Sequence, residues 1–238
     1  MLALEIIFWT CVALLVHTHV TYPLSLAAIA RLRPPPQNAD ELRGPEHPQL
    51  SRTSGGEGLP GVSLVVAAHN EEAVIAARVR NALALDYPRE LLQVIVASDG
   101  SDDRTVELAR AAGADLVLDL SRRGKVEAQN AAVEQASGTV LAFSDANSFW
   151  APDALRALVA RLADPEVGYV CGEVRFTDEE GSNQEGAYWR YEMAVRSLES
   201  ELTRITAGNG AIYAVRREAY VVMPSDRGHD LCLPYAMV

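Results

Sequence analysis

Three short runs of almost unbroken apolar residues constrain this chain more than anything else in it: Val62–Ala68, Leu92–Ala97 and Thr139–Ser144. Each has the length of a strand and is too short for a buried helix. Runs without polar alternation belong to strands covered on both faces, as in parallel sheets. Between them the period lengthens to that of a helix. Ile75, Val79, Ala82 and Leu83 form one stripe, and Leu155, Leu158, Val159 and Leu162 another. Arg104–Ala112, stopped by Gly113, and Gly124–Ala136 read as further helices, and Asp115–Leu120 as a shorter strand. Strands alternating with helices of this length predict an α/β fold: a mostly parallel sheet with helices on both faces.

The runs end in polar residues: His69-Asn70-Glu71 after Ala68, Asp99 after the second, and Asp145-Ala146-Asn147 after the third. In open α/β sheets the carboxyl ends of the strands face the ligand crevice. Part of this has a local explanation. Asn70 reads as a helix N-cap and Asp102 as the cap of the next helix. Asp145 and Asn147 also suit a plain turn, because their side chains bond their own backbone. Asp99, which precedes Gly100 and a turn, is not explained by capping. An oxygen-rich pair such as Asp145 and Asn147 suits a hard divalent cation, Mg2+ or Mn2+. Arg123-Gly124-Lys125 adds a cation fit for a phosphate. This is not a nucleotide P-loop, since Asp119 stands at the first Gly position and Val126 at the Ser/Thr position.

Ahead of this domain, Ile6–Ala30 reads as one membrane-spanning helix, with His17, His19 and Pro23 as its costly residues. Met1–Glu5 lacks the positive start of a secretory signal. Arg31 and Arg33 on the downstream flank predict that the rest of the chain faces the cytoplasm. Three scattered cysteines agree with a reduced compartment. Residues 34–60, opened by Pro34-Pro35-Pro36, read as a linker. Gly56-Glu57-Gly58-Leu59-Pro60-Gly61 within it matches a dinucleotide-binding pattern, but it precedes a strand instead of following one. The expected organisation is an anchor over 1–33, a linker over 34–60 and one domain over 61–238. A formal net charge of −11 argues against a nucleic-acid partner. Glu185–Thr203 reads as an amphipathic helix, with Tyr188, Tyr191, Val195, Leu198 and Leu202 on one side. That stripe suits core packing, or a membrane surface where Trp189 and Tyr191 would sit at the interface.

Taken in order, Val-Ser-Leu-Val-Val-Ala-Ala-His-Asn-Glu-Glu at 62–72, Ala-Ser-Asp-Gly-Ser-Asp-Asp at 97–103, Arg-Gly-Lys at 123–125 and Ser-Asp-Ala-Asn at 144–147 resemble the family 2 glycosyltransferases. Tyr188–Glu192, Gly208–Arg217 and His229-Asp230-Leu231 are similar to the acceptor-side segments of the same family. These are inverting enzymes with a GT-A fold that use nucleotide-diphosphate sugars, and cellulose, hyaluronan and poly-N-acetylglucosamine synthases are membrane members. The resemblance implies that the loop after Ala68, with Asn70 and Glu71, holds the nucleoside together with Asp99, which accepts from a uracil base. Lys125 would lie near the diphosphate. Asp145 would carry the metal as the first member of a D-x-D motif whose second member here is Asn147. Gly208, Asn209 and Gly210 would let backbone approach the sugar or acceptor. Asp230 would be the general base, with His229 at the position where the family has Glu. The implied donor is a UDP-sugar and the implied acceptor a saccharide or a lipid-linked hydroxyl.

Polymerising members continue past the base into a Gln- or Lys-x-x-Arg-Trp segment and further membrane helices. This sequence ends at Val238, so a domain shortened at its carboxyl end is expected. Two rival readings stand beside the enzyme. A non-catalytic sugar-nucleotide-binding subunit is suggested by Asn147 and His229. A nucleotidyltransferase would need a basic glycine-rich loop where His69–Glu72 stands.

Overall fold

The computed structural model describes residues 2–32, 58–174, 186–203 and 207–238. The chain divides into two compact units, Met1–Gln49 with Arg175–Thr206, and Leu50–Val174 with Ala207–Val238. The linker reading therefore lies outside the described residues up to residue 57, as do the side chains of Tyr188 and Trp189.

In the first unit, Leu2–Val16 and Tyr22–Leu32 join into one helix of 31 residues, long and apolar enough to cross a membrane. The expected span Ile6–Ala30 lies inside it. Pro23 leaves the helix unbroken because the preceding turn widens into a π-helical stretch, His17–Thr21. Side-chain hydroxyls serve carbonyls around this defect: Thr18 Oγ1 donates to the Leu14 carbonyl at 2.9 Å and Ser25 Oγ to that of Thr21 at 2.6 Å. Pro23 has no N–H for the carbonyl of His19, and the Tyr191 hydroxyl donates there instead at 2.9 Å. The helix Ala187–Thr203, which carries Tyr191, thus groups with the amino-terminal helix. Tyr191, Val195, Leu198 and Leu202 of its predicted stripe are half-buried.

The second unit is built on a six-stranded sheet of order β3-β2-β1-β4-β6-β5. Its strands are β1 (Val62–Ala68), β2 (Leu92–Asp99), β3 (Leu116–Leu120), β4 (Val140–Asp145), β5 (Tyr169–Cys171) and β6 (Tyr213–Arg216). The first four are parallel; β6 runs antiparallel to β4, and β5 antiparallel to β6. This is the mostly parallel α/β sheet that the apolar runs predict.

Apolar residues on both faces of β1 and β4 supply a core on each side of the sheet. Leu64, Val66 and Ala142 pack with Ile75, Val79, Leu155 and Leu158 on one side. Val65, Leu141 and Phe143 pack with Ala128, Tyr213 and Leu233 on the other. The chain lays β2 and β3 to one side of β1 and β4 to the other, so the direction of winding reverses between β1 and β4. Ligands of open α/β sheets bind at such a reversal.

Two helix caps differ from expectation. The helix expected at Asn70 begins at Ile75. Asn70 instead takes a left-handed conformation, φ 55°, which asparagine tolerates better than most residues. Asp103, not Asp102, serves the Thr105–Ala111 helix, accepting from the Thr105 N–H at 2.9 Å. With helices this short, a one-residue shift in the turn decides which carboxylate meets the free N–H groups.

Candidate active site

The register brings three predicted residues to one edge. Ala67 of β1 pairs with Asp145 of β4, Ala68 pairs with Ser98 of β2, and Asp99 follows directly. Asp145 closes β4 at the winding reversal, its side chain one-third exposed. It points to the face that carries the Lys125–Glu134 helix, and the Lys125 ammonium donates to its Oδ1. Gly210 lies against both. A Cβ there would meet Lys125 Nζ at 2.8 Å and Asp145 Oδ2 at 3.0 Å, so a side chain at this position would displace the pair. The predicted cation, carboxylate and glycine loop therefore converge.

Lys125 is aimed by Asp99. The Asp99 side chain is buried, and its carboxylate accepts from the backbone N–H groups of Arg123 at 2.7 Å and Gly124 at 2.9 Å. Gly124 sits at φ 100°, a conformation that side chains rarely adopt, and turns the chain straight into the helix that begins at Lys125. So Asp99 anchors a loop, which is why an aspartate stands at a strand end with no cap to make. Of about four acceptor positions on a carboxylate, bonds from these two N–H groups leave room for a further donor.

Asn70 joins the β1 and β2 loops, its N–H donating to Ser101 Oγ at 3.1 Å and its Oδ1 accepting from Asp102 N–H at 2.9 Å. Glu71 donates its N–H to Thr105 Oγ1 at 2.8 Å, and its half-buried carboxylate takes no hydrogen bond from any described residue.

The Gly208–Gly210 loop meets the other predicted group. Gly208 N–H donates to the Asp230 carbonyl at 2.9 Å, and a Cβ on Gly208 would run into the Tyr169 hydroxyl. Asn209 turns inward. Its amide donates to Gly172 O at 2.9 Å and accepts from the N–H groups of Ala211 and Ile212, so the side chain fixes the shape of the loop. Asp230 lies in the first turn of the helix His229–Ala236, whose N-cap is Gly228 and which has no side-chain cap bond. The capping explanation for Asp230 therefore fails. With Lys125, Gln129, Tyr213, Asp226 and His229 it lines a cavity of about 230 Å³. Asn147 is exposed at the mouth of the β4 loop.

His229 stands in place of an acid, and the structure shows what it does there. It is 2% exposed, with Nδ1 3.0 Å from the Tyr213 hydroxyl and Nε2 2.8 Å from that of Tyr220. Tyr220 donates onward to Asn130 Oδ1 at 2.7 Å, so it accepts from His229 Nε2–H, which leaves Nδ1 to accept from Tyr213. Burial, helped by the charge of Lys125, pushes the imidazole pKa down to about 4. Burial raises both tyrosines. Sequence reasoning missed this network because its members are separated in sequence and meet only through β6.

The chemistry of the donor set decides whether a metal fits. Among the described residues no group of three or more His, Cys, Asp or Glu converges. Asp145 and Asn147 offer a carboxylate and an amide oxygen, too few for an all-protein cage. They do fit Mg2+ or Mn2+ shared with substrate phosphates, a common arrangement for nucleotide-bound cations.

Known proteins resemble this chain in sequence and in fold. A glucosyldiacylglycerol enzyme of Synechocystis, beta-monoglucosyldiacylglycerol synthase, is 31% identical over 163 residues, 63% of this chain and 31% of that protein. The glycosyltransferase AglE of Haloferax volcanii is 29% identical over 135 residues, 55% of this chain and 44% of that one. The chain spans less than half the length of these curated relatives. Among solved structures, a mannosyltransferase from Pyrobaculum calidifontis in complex with GDP-Man and Mn2+ superposes with a TM-score of 0.60 at 29% identity, over 72% of this chain and 50% of that one. The family profile described as glycosyl transferase family 2 matches residues 63–221, about two-thirds of the sequence, and the chain belongs to that family.

Proposed function

We propose that this chain is an inverting glycosyltransferase of the membrane, moving a sugar from a nucleotide-diphosphate sugar, with UDP as the expected nucleotide, to a hydroxyl of a saccharide or lipid-linked acceptor. The carrying observation is the convergence of Lys125, Asp145 and Gly210 at the winding reversal, with Asp230 across a shared cavity from Lys125. The relatives' names support the reading in outline, since they include an enzyme of glycolipid synthesis and a mannosyltransferase bound to GDP-Man and Mn2+. The apolar helix Leu2–Leu32 supports the membrane, and Arg31 on its downstream flank supports a cytoplasmic domain.

In this mechanism Lys125 and Asp145 neutralise each other until donor arrives. Lys125 then turns to the diphosphate, where its charge stabilises the leaving group. Asp145 and Asn147 would hold Mg2+ or Mn2+, which when bound adds further charge stabilisation at the phosphates. Asp99 keeps Lys125 in place through the Arg123-Gly124 turn, and Glu71 and Asn70 line the nucleoside side. Asp230 takes the proton from the acceptor hydroxyl as its oxygen bonds to the anomeric carbon. The bond from that carbon to the diphosphate oxygen breaks on the opposite face, and its electron pair leaves with the diphosphate. One displacement inverts the configuration.

Asp230→Asn tests this. The amide keeps shape and polarity but cannot take a proton, so transfer should fall by about a hundredfold or more while nucleotide binding persists. UDP- and GDP-sugars are the donors to screen, and near-normal transfer by the variant removes Asp230 from the chemistry.

A further inference from the structure

The Ile75–Leu83 helix carries none of the candidate site residues, yet it holds a fully buried arginine. Arg78 is 0% exposed and lies on the face of the sheet opposite Lys125. Its Nε donates to Ser144 Oγ at 3.1 Å, and that hydroxyl donates to the Asp145 carbonyl at 2.9 Å. Its Nη1 donates to Asn81 Oδ1 at 2.9 Å. Asn81 in turn brackets Trp150, donating to the Trp150 carbonyl at 3.0 Å and accepting from its N–H at 2.9 Å. The guanidinium lies 5.3 Å from the Trp150 ring centroid, a cation–π distance. Trp150 Nε1 then donates to the Ala211 carbonyl at 2.9 Å, next to Gly210.

We infer that Arg78 is a positioning residue for the donor site. Through Ser144 it holds the end of β4, and through Asn81 and Trp150 it holds the 145–150 loop and the Gly208–Ala211 loop together. The inference rests on the reading of Asp145 as the donor-site carboxylate. A buried charge is costly unless it is paired, and an apolar residue of similar volume often serves a core at least as well. Arg78 has no carboxylate partner among the described residues, and its buried Nη2 has no hydrogen bond there. Its cost is offset by what it organises. One rigid fork bonds Ser144 and Asn81, Trp150 passes the contact on to Ala211, and a cation is left behind a site built for a diphosphate.

The test uses the full chain in detergent and two independent readouts. In Arg78→Met, which fills the core but removes fork and charge, amide exchange should speed up at Ser148, Trp150, Ala211 and Ile212. Exchange at Gly124, held by Asp99 on the other face, should not change. Mn2+-dependent binding of UDP or GDP should weaken by about tenfold or more, as when a metal ligand loses its supporting partner. Ser144→Ala should loosen the 145–150 loop alone. Should Arg78→Met lose cooperative unfolding, Arg78→Lys carries the same test, since it keeps the charge without the fork. Unchanged exchange in both loops overturns the inference whatever the nucleotide does. A wild-type chain that binds neither nucleotide overturns the donor-site reading instead, and the exchange result still decides the role of Arg78.

Discussion

Acidification should destabilise this protein through His229, by an amount that its surroundings allow to be worked out. The free imidazole titrates at 6.5 and the buried one at about 4, so the unfolded chain binds a proton that the folded chain refuses. Stability contributed by neutral His229 is therefore whole above pH 6.5 and falls as pH drops toward 4. The full shift corresponds to roughly 3 kcal/mol at 1.36 kcal/mol per unit, of which about 2.5 kcal/mol is gone by pH 4.5. The structural cause is burial of the imidazole, with the charge of Lys125 adding to it. The perturbation is His229→Gln, whose amide can still accept from one tyrosine and donate to the other but does not titrate. Urea unfolding of both proteins at pH 7.5 and 4.5 gives the comparison, with carboxylate titrations common to both cancelling. Wild type should lose about 2 to 3 kcal/mol more than the variant. Equal losses would show that His229 is not held neutral by this network.

Two further outcomes concern the site and its placement. Asp145→Ala should abolish Mn2+-dependent nucleotide binding in calorimetry and leave the thermal melt nearly unchanged, because the half-exposed pair with Lys125 contributes under about 1 kcal/mol; Asn147→Asp should tighten Mn2+ binding by adding charge. Protease added outside intact cells should spare the sheet domain, and its digestion there would reverse the proposed orientation.

Much of the fold is local information, and the sequence carries it. Nearly unbroken apolar runs at β1, β2 and β4 are satisfied by burial on both faces, which favours a covered parallel sheet. The same runs locate the site, because parallel strands all deliver their last residues to one edge. Ala68, Asp99 and Asp145 were legible for that reason. Gly210 and Lys125 were legible as residue types, and tertiary structure placed them in contact with Asp145.

Other roles are not local, and only the folded chain decides them. Asn70 has the composition of a cap, but turn geometry sends its side chain to the Asp102 N–H, and the bonds of Asp99 to the Arg123 and Gly124 N–H groups appear only in the folded chain. Asn209 faces inward because Ala211, Ile212 and Gly172 compete for its amide. Arg78 occupied a core position in the helix stripe, three residues after Ile75 and four before Ala82, and a charge on that face was the available signal. What it contacts could not be read, since Ser144 and Trp150 come to it only when β4 is laid beside β1. His229 becomes a neutral link between two tyrosines because β6 folds back antiparallel to β4 and brings Tyr213 beneath it. Periodicity fixes which face a residue takes; the partner it meets there depends on strand order, a property of the whole sheet.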